Sequence, residues 1–318
     1  MIHLIKPKLE QAQNIAIFGH SRIDGDAIGA MFGLGLQLEK LGKTVSYFTP
    51  NPPDSVFDFL NLHTLQTTFD YGDYDLLTFI DFSEYKRIGD FTKEYEAHMG
   101  KKDKKIETYF NEKDKIIIDH HLNTGELPNA LIYRDETAIS TCELIYELTT
   151  QRRGTQGLID SQIATLLYLG ILTDSGNLRY DTENQTERIL TTLLDLLKLG
   201  ADKQSIINNV FRRKSYADIQ FMQFVLSRMQ RDENILYARY SKTEKLQFGA
   251  SYETSDSDHA LQIMQDIEGS DLIIMGKDDG KELRISLRGR GKYDCSAIAK
   301  HFKGGGHFNS SGCTIAST

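Results

Sequence analysis

The segment at residues 116–121, which reads Ile-Ile-Ile-Asp-His-His, constrains the fold of this chain more than any other stretch. Three consecutive β-branched apolar residues predict a strand that is buried on both faces of a sheet. The acid and the two imidazoles that follow are expected at the carboxyl end of that strand, the edge where open α/β sheets bind ligands. An Asp-His pair also serves ordinary turn chemistry, so a functional site requires matching groups from other strands.

Other predicted strands lead to groups of the same kind. Apolar runs at 14–18, 44–49 and 76–80 predict three further strands, and 27–41, 137–150 and 161–172 have helical patterns. Strands that alternate with helices predict an α/β fold with a mostly parallel sheet covered on both faces. One sheet edge would then gather these side chains: His20, Asp24 and Asp26 after the first strand, Asp81 after the third, Asp119, His120 and His121 after the fourth, and Asp174 after the helix at 161–172.

Each of these acids also has a structural explanation when it is taken alone. Asp24 or Asp26 could cap the helix that follows, and Asp174 could close a turn. Four aspartates at one edge, however, would repel one another and be costly to desolvate without cations. Two divalent ions balance four negative charges, and two imidazoles complete a mixed nitrogen and oxygen shell that suits Mn²⁺ better than Ca²⁺ or structural Zn²⁺. Such a two-metal site is suited to in-line attack on phosphorus.

Composition excludes several classes of protein. Hydrophobic residues make up 40% and charged residues 26% of the chain, as in an ordinary globular protein. A net charge of −8 argues against a protein that coats long duplex nucleic acid by charge alone. The three cysteines are far apart and predict neither a disulfide framework nor a thiolate zinc site, which favours a reducing cytoplasm. No apolar run is long enough for a membrane span, and no signal peptide is recognisable.

The length of 318 residues allows two domains. The pattern is helical almost throughout 183–229, and strands are then predicted at 235–240, 272–275 and 283–287, the last two joined by an Asp279-Gly280 hairpin turn. We therefore expect a catalytic domain at 1–185, a helical connector at 186–231 and a smaller α/β domain at 232–318. The charged segment at 92–115 predicts a solvated helical insertion, with a role in substrate steering as the alternative.

Taken in order, the motifs resemble those of the DHH phosphoesterase superfamily. His20-x3-Asp24-x-Asp26, Asp81, Asp119-His120-His121 and Asp174 correspond to its four motifs. Ser286-Leu287-Arg288 and the later Gly304-Gly305-Gly306-His307 resemble the DHHA1 domain that accompanies them. The resemblance covers essentially the whole chain and is greatest to the nanoRNase/pAp-phosphatase branch. It implies a DHH domain joined by a helical connector to a DHHA1 domain, with the active site in the cleft between them.

The resemblance also implies a role for each matching residue. One manganese ion would be held by His20, Asp24 and Asp81, and the other by Asp26, Asp81, His120 and Asp174, so that Asp81 bridges the two. His121 would face the phosphate, and Asp119 would orient its neighbours rather than bind metal. The predicted substrate-binding residues are Arg87, Arg288, Gly304, Gly305, Gly306 and His307. For Arg87 a surface ion pair is an equally good interpretation.

The implied activity is hydrolysis of short oligoribonucleotides and linear dinucleotides to 5′-mononucleotides, and of 3′-phosphoadenosine 5′-phosphate (pAp) to AMP. Three alternatives stay open: a RecJ-type single-strand exonuclease, a pyrophosphatase or exopolyphosphatase, and a nucleotide sensor without catalysis. The expected partner is a short RNA, a dinucleotide or pAp, with no long duplex and no membrane, and a homodimer is the assembly to be tested.

Overall fold

The computed structural model describes residues 1–62, 65–69, 71–83, 87, 109–121, 127–150, 157–179, 183–248 and 257–316. Most of the predicted charged insertion, residues 92–108, lies outside the described residues. The chain divides into two compact units, Met1–Arg213 and Lys214–Thr318. The predicted connector at 186–231 is therefore shared between the two units.

The first unit alternates strands with helices. Its elements are α1 (Ile2–Gln11), β1 (Asn14–Phe18), α2 (Gly25–Lys40), β2 (Thr44–Phe48), a 3₁₀ helix (Ser55–Leu60), β3 (Leu76–Ile80), β4 (Lys115–Asp119), β5 (Ala130–Arg134), α3 (Thr141–Thr150), α4 (Ser161–Asp174), α5 (Glu183–Lys198), α6 (Lys203–Ile206) and a π-helix (Ile207–Phe211).

The five strands of the first unit form a parallel sheet in the order β2-β1-β3-β4-β5. The predicted α/β class is thus confirmed. The three strands that lead into the predicted site, β1, β3 and β4, are neighbours in the middle of the sheet. The chain places β2 on one side of β1 and β3 on the other, so the order reverses beside β1. Ligands bind outside the carboxyl ends of strands at such a reversal.

Strand β1 shows why the sheet is buried on both faces. Its side chains alternate between Ile15 and Ile17, which join the core formed with α2, α3 and α4, and Ala16 and Phe18, which join an aromatic core on the opposite face. Strand β4 divides its isoleucines between the same two cores. This is the pattern of a central strand in a covered parallel sheet.

Helices α2 and α4 approach each other closely because small residues face one another at their contact. A Cβ at Gly29 would lie 2.4 Å from the Leu166 carbonyl oxygen, and a Cβ at Gly170 would lie 2.6 Å from Asp26 Oδ1. The first turn of α2, which contains Asp26, therefore lies beside the last turn of α4, which ends at Asp174.

The second unit is a mixed α/β domain. Its elements are α7 (Tyr216–Ser227), β6 (Gln230–Asp232), β7 (Ile235–Ser241), α8 (Lys242–Gln247), α9 (Ser257–Gln265), β8 (Leu272–Asp278), β9 (Glu282–Gly289), α10 (Cys295–His301), β10 (Gly305–His307) and β11 (Ser310–Ala316).

The sheet of the second unit has the order β10-β11-β9-β8-β7-β6, and only β7 and β8 are parallel. The predicted hairpin between β8 and β9 is confirmed, and Gly280 adopts a φ of +89° in its turn. Helices α7 and α9 pack on one core of this unit, and α10 packs on a second.

Two further findings bear on the sequence analysis. In the part of the chain that the structure describes, no helix is both long and apolar enough to cross a membrane. The three cysteines, Cys142, Cys295 and Cys313, are buried free thiols.

Candidate metal centre

The predicted ligands lie in the loops after β1, β3 and β4, in the first turn of α2 and at the end of α4. Asp24 is the N-cap of α2, where its Oδ1 accepts hydrogen bonds from the amides of Asp26 (3.1 Å) and Ala27 (3.0 Å). Asp81 follows β3 directly and has a φ of +68°. A non-glycine residue in this left-handed region is strained, and such strain concentrates at functional sites. Its amide donates to the Ile118 carbonyl (2.9 Å), which ties the end of β3 to β4.

The structure brings all six predicted metal ligands together, although they are distant in sequence. Within each of three groups, the donor atoms lie within 4.8 Å of one another: His20, Asp24 and Asp81; Asp26, His120 and Asp174; and Asp81, His120 and His121. The first two groups are those that the resemblance implies for the two ions, with Asp81 completing the second set.

Asp81 stands between the two sets and turns one carboxylate oxygen toward each. Its Oδ2 is 3.4 Å from His20 Nε2, and its Oδ1 is 3.6 Å from His120 Nε2 and 3.5 Å from His121 Nδ1. Asp174 Oδ2 lies 3.1 Å from His120 Nε2. A carboxylate in this position can bridge two cations, because each of its oxygens has lone pairs available.

Backbone carbonyls orient two of the imidazoles. His20 Nδ1 is 2.8 Å from the Ser21 carbonyl oxygen, and His120 Nδ1 is 3.3 Å from the Ala138 carbonyl oxygen. A proton on each Nδ1 satisfies these contacts, and each Nε2 is directed at the carboxylates. Metal-ligating histidines typically donate their other ring N–H in this way.

His121 is held differently. Its Nδ1 is 2.9 Å from Asp119 Oδ1, which also accepts a hydrogen bond from the His121 amide (3.1 Å). Asp119 is fully buried and is not a member of the three groups. Its position fits the predicted orienting role, and the contact leaves His121 Nε2 as the second polar atom of the ring.

The electrostatics show four carboxylates crowded together. Burial and the nearby Asp81 and Asp174 raise the pKa of Asp24 to about 6, although its side chain is 55% exposed and solvent screens part of this effect. Burial, Asp174 and Asp81 raise the pKa of the buried Asp26 well above its usual range. Burial acts to raise the pKa of Asp81 as well, but the imidazoles of His121, His20 and His120 hold it below its usual range.

Burial and the nearby carboxylates shift the pKa values of the imidazoles in opposite directions, and the carboxylates prevail. Burial acts to lower the pKa of His20, but Asp81 and Asp24 raise it to about 9. The pKa of His120 is likewise raised against burial by Asp174 and Asp81, and that of His121 by Asp81 and Asp119. Protons on these rings balance part of the negative charge, and divalent cations would do so more completely. The donor set of aspartate oxygens and imidazole nitrogens therefore fits a pair of hard or borderline divalent ions.

Sequence reasoning missed the residues that support Asp26 and Asp81. The amides of Thr141 and Cys142 donate to the two Asp26 oxygens (2.6 and 2.9 Å), and Thr141 Oγ1 donates to Asp81 Oδ1 (2.8 Å). The helix predicted to begin at 137 begins only at Thr141. The amides of its first turn have no partner within the helix, and Thr141 and Cys142 donate theirs to Asp26. The sequence feature that could have located this helix start is the Ser140-Thr141 pair, because serine and threonine favour the N-cap position of helices.

A cavity of about 570 Å³ opens beside the predicted ligands His20 and Asp24. The other residues lining it are Ser21, Arg22, Asn51, Arg87 and His121. The Arg87 carbonyl accepts a hydrogen bond from the Ser21 amide (3.4 Å), so the structure places this predicted substrate residue at the site. Arg22 and Asn51 were not predicted, and they make the cavity polar and partly basic.

The remaining predicted substrate residues lie in the second unit. The strand register pairs Arg288 of β9 with Ser310 of β11, and Ser310 with His307 of β10, which places the three in a row across the sheet. Gly304 and Gly306 are required by packing, because a Cβ would lie 2.2 Å from the Gly312 carbonyl oxygen and 2.6 Å from that of Ser310, respectively. Gly305 has open space around its Cβ position.

Comparison with known proteins identifies the two halves of the chain. Residues 14–171 match the family described as "DHH family, N-terminal domain", and residues 232–318 match the "DHHA1 domain". Together the two matches account for most of the chain and include every predicted site residue except Asp174, which follows the first match by three positions.

Several relatives align with nearly the whole of this chain. A protein of Mycoplasma genitalium named bifunctional oligoribonuclease and PAP phosphatase NrnA is 27% identical over 308 residues, which covers 96% of this chain and 90% of the relative. The protein of the same name from Bacillus subtilis is 24% identical over 306 residues, covering 95% and 90%. The crystal structure of an exopolyphosphatase-related protein from Bacteroides fragilis superposes with a TM-score of 0.84 at 27% identity, covering 100% of this chain and 91% of that one.

Proposed function

This chain belongs to the DHH family of phosphoesterases, carries a DHHA1 domain and is a hydrolase, and we propose from this that it hydrolyses short oligoribonucleotides with two Mn²⁺ ions. The products are 5′-mononucleotides, and linear dinucleotides and pAp are further substrates, the latter yielding AMP. The names of the relatives from Mycoplasma genitalium and Bacillus subtilis support both activities.

The observation that carries the proposal is the placement of Asp81 between two sets of ligands. One oxygen faces His20 and the other faces His120, at 3.4 and 3.6 Å from the respective Nε2 atoms. A site for a single ion has no need of two such sets. Two ions held on one bridging carboxylate are the arrangement found in enzymes that act on phosphate esters.

Each ion has its own proposed ligands. His20, Asp24 and Asp81 would hold the first, and Asp26, His120 and Asp174, together with the shared Asp81, would hold the second. When bound, the pair would activate water at neutral pH and neutralise charge on the phosphoryl oxygens. Mn²⁺ is the proposed metal because it accepts both imidazole and carboxylate ligands in one shell.

His121 completes the reacting site in this proposal. His121 Nδ1 donates to Asp119 Oδ1, and Asp81 and Asp119 raise the pKa of the ring against burial. The protonated ring then has a second N–H, at Nε2, to donate to a non-bridging phosphoryl oxygen. A donor that is already oriented stabilises the charge that develops on that oxygen in the transition state. The leaving group is the 3′-oxygen of the neighbouring nucleoside, so that the phosphate stays on the 5′ position of the product.

Arg22 and Arg87 add positive charge to the cavity that adjoins the first ion set. Cationic side chains beside a metal pair suit a substrate with more than one phosphate. Arg288 and His307 remain predicted substrate contacts of the DHHA1 domain, together with the glycines at 304–306. We propose that they select short substrates by binding the end away from the scissile bond.

A product time course tests the proposal against its enzymatic alternatives. Labelled RNAs of two to seven nucleotides, pAp, pyrophosphate and a long single strand are incubated with Mn²⁺ and, in parallel, with a chelator. We expect 5′-mononucleotides from the shortest RNAs, AMP from pAp, and no product with chelator. Faster cleavage of the long strand would favour a RecJ-type exonuclease, and phosphate release from pyrophosphate a pyrophosphatase or exopolyphosphatase.

The remaining alternative is a sensor that binds nucleotides without cutting them. An Asp81→Ala variant removes the carboxylate shared by both ion sets. We expect its turnover to fall by more than about a hundredfold, the upper range for changes at the outer partners of metal ligands. If the wild type and this variant both form product only at the background rate, the sensor is favoured.

A further inference from the structure

The segment at residues 135–142, here termed the bracing loop, connects β5 to the first turn of α3 and touches three of the proposed ligands. Its Ala138 carbonyl faces His120 Nδ1 (3.3 Å), and the Thr141 hydroxyl donates to Asp81 Oδ1 (2.8 Å). The amides of Thr141 and Cys142 donate to the carboxylate of Asp26 (2.6 and 2.9 Å). One short segment therefore contacts and orients three side chains that come from three separate parts of the chain.

This support is unequal between the two ion sets. The ligands that belong only to the first set are oriented locally: His20 by the Ser21 carbonyl, and Asp24 by amides in the first turn of α2. The bracing loop contacts Asp26 and His120, which belong only to the second set, and the shared Asp81 Oδ1 that faces His120. A displacement of the loop would therefore disturb the second ion more than the first.

Arg188 of α5 holds the bracing loop in place. Its Nη1 donates to Asp135 Oδ2 at the start of the loop (3.0 Å), and its Nε lies 3.1 Å from Glu143 Oε1 just beyond the loop's end. Its Nη2 lies 2.8 Å from Glu147 Oε1, one turn further along α3. A single guanidinium thus links both ends of the segment that supports the second ion set.

The ion pair between Arg188 and Glu143 matters because Glu143 is buried and is hydrogen-bonded to the bracing loop. The side chain is 1% exposed, and its Oε2 accepts a hydrogen bond from the Ile139 amide in the middle of the bracing loop (3.0 Å). Without Arg188 the charge of Glu143 would be buried without its cationic partner, which is strongly unfavourable. The side chain would move toward water and release Ile139, which is next to the Ala138 carbonyl that faces His120.

We propose that Arg188 is a positioning residue for the second ion set, acting through the bracing loop. The proposal rests on the two-metal function proposed above and deepens it, because it assigns to α5 the control of one ion and not the other. Gln185, one turn earlier on α5, provides an independent link, since its Nε2 donates to the Thr137 carbonyl (2.6 Å).

Calorimetric titration of Mn²⁺ into the metal-free full-length protein tests this inference, with the spin coupling of the bound Mn²⁺ pair as a second readout. In Arg188→Met we expect one ion to bind about tenfold more weakly, as for other outer partners of metal ligands, while the other keeps its affinity. The affinity of Arg188→Lys for that ion should lie between those of the wild type and Arg188→Met, because an ammonium cannot contact three carboxylates as the forked guanidinium does. Lys40→Met is the matched control, since it breaks the Lys40–Asp160 ion pair (2.6 Å) of the same unit without touching the loop.

The proposal is overturned if Arg188→Met binds both ions as the wild type does, or loses affinity for both equally. Melting of the metal-free proteins identifies general destabilisation, which Lys40→Met should produce without any change in metal binding. If Arg188→Met does not fold, Gln185→Ala carries the test and should weaken the same single ion. A wild-type protein that binds no ion pair would instead contradict the proposed function, so the two failures are distinguishable.

Discussion

Asp81 combines a strained backbone with a charge that is stabilised by its surroundings. Its φ is +68°, and three imidazoles lie 3.4–3.6 Å from its carboxylate oxygens. Strain at a single residue costs roughly 1–3 kcal/mol and persists only where the surrounding structure enforces it. Here the hydrogen bond that its amide donates to the Ile118 carbonyl and the one that its carboxylate accepts from the Thr141 hydroxyl both fix the residue.

The protonation of His20 predicts how metal binding depends on pH. With its pKa raised to about 9, the ring carries a proton at pH 7 that a cation must displace. In the metal-free protein the charged ring stabilises the fold below its ordinary pKa of 6.5, and this contribution is lost as the pH rises through 9. Mn²⁺ affinity should therefore strengthen from pH 6 to pH 8, by about tenfold per pH unit for each proton released.

Calorimetry in two buffers with different heats of protonation measures both quantities. We expect protons to be released on binding at pH 7, and the number to decrease as the pH approaches that of the His20 transition. An affinity that stays constant from pH 6 to pH 8, with no proton release, would contradict this account of His20.

At the scale of elements, the contact between α2 and α4 sets the position of Asp26. A Cβ at Gly170 would lie 2.2 Å from Cys142 Sγ and 2.6 Å from Asp26 Oδ1. Overpacking of this kind costs roughly 1–3 kcal/mol, and alanine's better helix propensity returns about 1 kcal/mol. We expect Gly170→Ala to lower the free energy of unfolding modestly but to weaken Mn²⁺ binding clearly, as measured by denaturant unfolding and calorimetry.

Gly33→Ala is the matched control for that change. It lies in the same helix pair, but the new Cβ would meet Leu167 Cδ2 (2.7 Å), the end of a flexible side chain away from the site. Its metal affinity should equal that of the wild type even if its stability falls. Equal metal affinity in Gly170→Ala and the wild type would contradict the claim that this helix contact positions Asp26 for metal binding.

The elements also show where sequence reasoning reached its limit. The isoleucines at 116–118 predict a central strand because only a buried, covered strand accommodates them, and β4 has that position. The helical pattern predicts a start at 137, but α3 begins at Thr141. Residues 137–140 are instead held as a loop by Arg188, Gln185 and the buried Glu143, partners that local sequence cannot reveal.

The strands β10 and β11 illustrate a second limit. Gly305–His307 and Ser310–Ala316 are rich in glycine and serine, which have low strand propensity. They form strands because the whole length of β11 pairs with β9, and β10 pairs with β11. Substrate binding by the glycines at 304–306 stays a prediction, beside the packing reason that the structure gives for Gly304 and Gly306.

At the scale of the whole molecule, the two units contribute different kinds of residue. Every proposed metal ligand belongs to the first unit, and Arg288 and His307 belong to the second. The ligands could be predicted because each follows a recognisable strand or helix end and parallel strands share one edge. Contacts between substrate and the second unit could not be derived in this way, because antiparallel strands send their ends to both edges.

Arg288→Ala tests the contribution of the second unit. Loss of a charged hydrogen bond, worth about 1.5–3 kcal/mol, should raise KM for a dinucleotide by about tenfold or more while kcat changes little. Arg284→Ala is the matched control, because Arg284 lies four positions earlier in the same strand and pairs with Thr314 rather than Ser310. Steady-state kinetics that show the same KM for both variants would remove Arg288 from the proposed substrate contacts.

The central claim is that six side chains of the first unit hold a pair of divalent ions on either side of Asp81. Anomalous diffraction at the manganese edge, from crystals soaked in Mn²⁺, tests it most directly. The account predicts two peaks, one among His20, Asp24 and Asp81 and the other among Asp26, Asp81, His120 and Asp174. A single peak, or none between these residues, would contradict it.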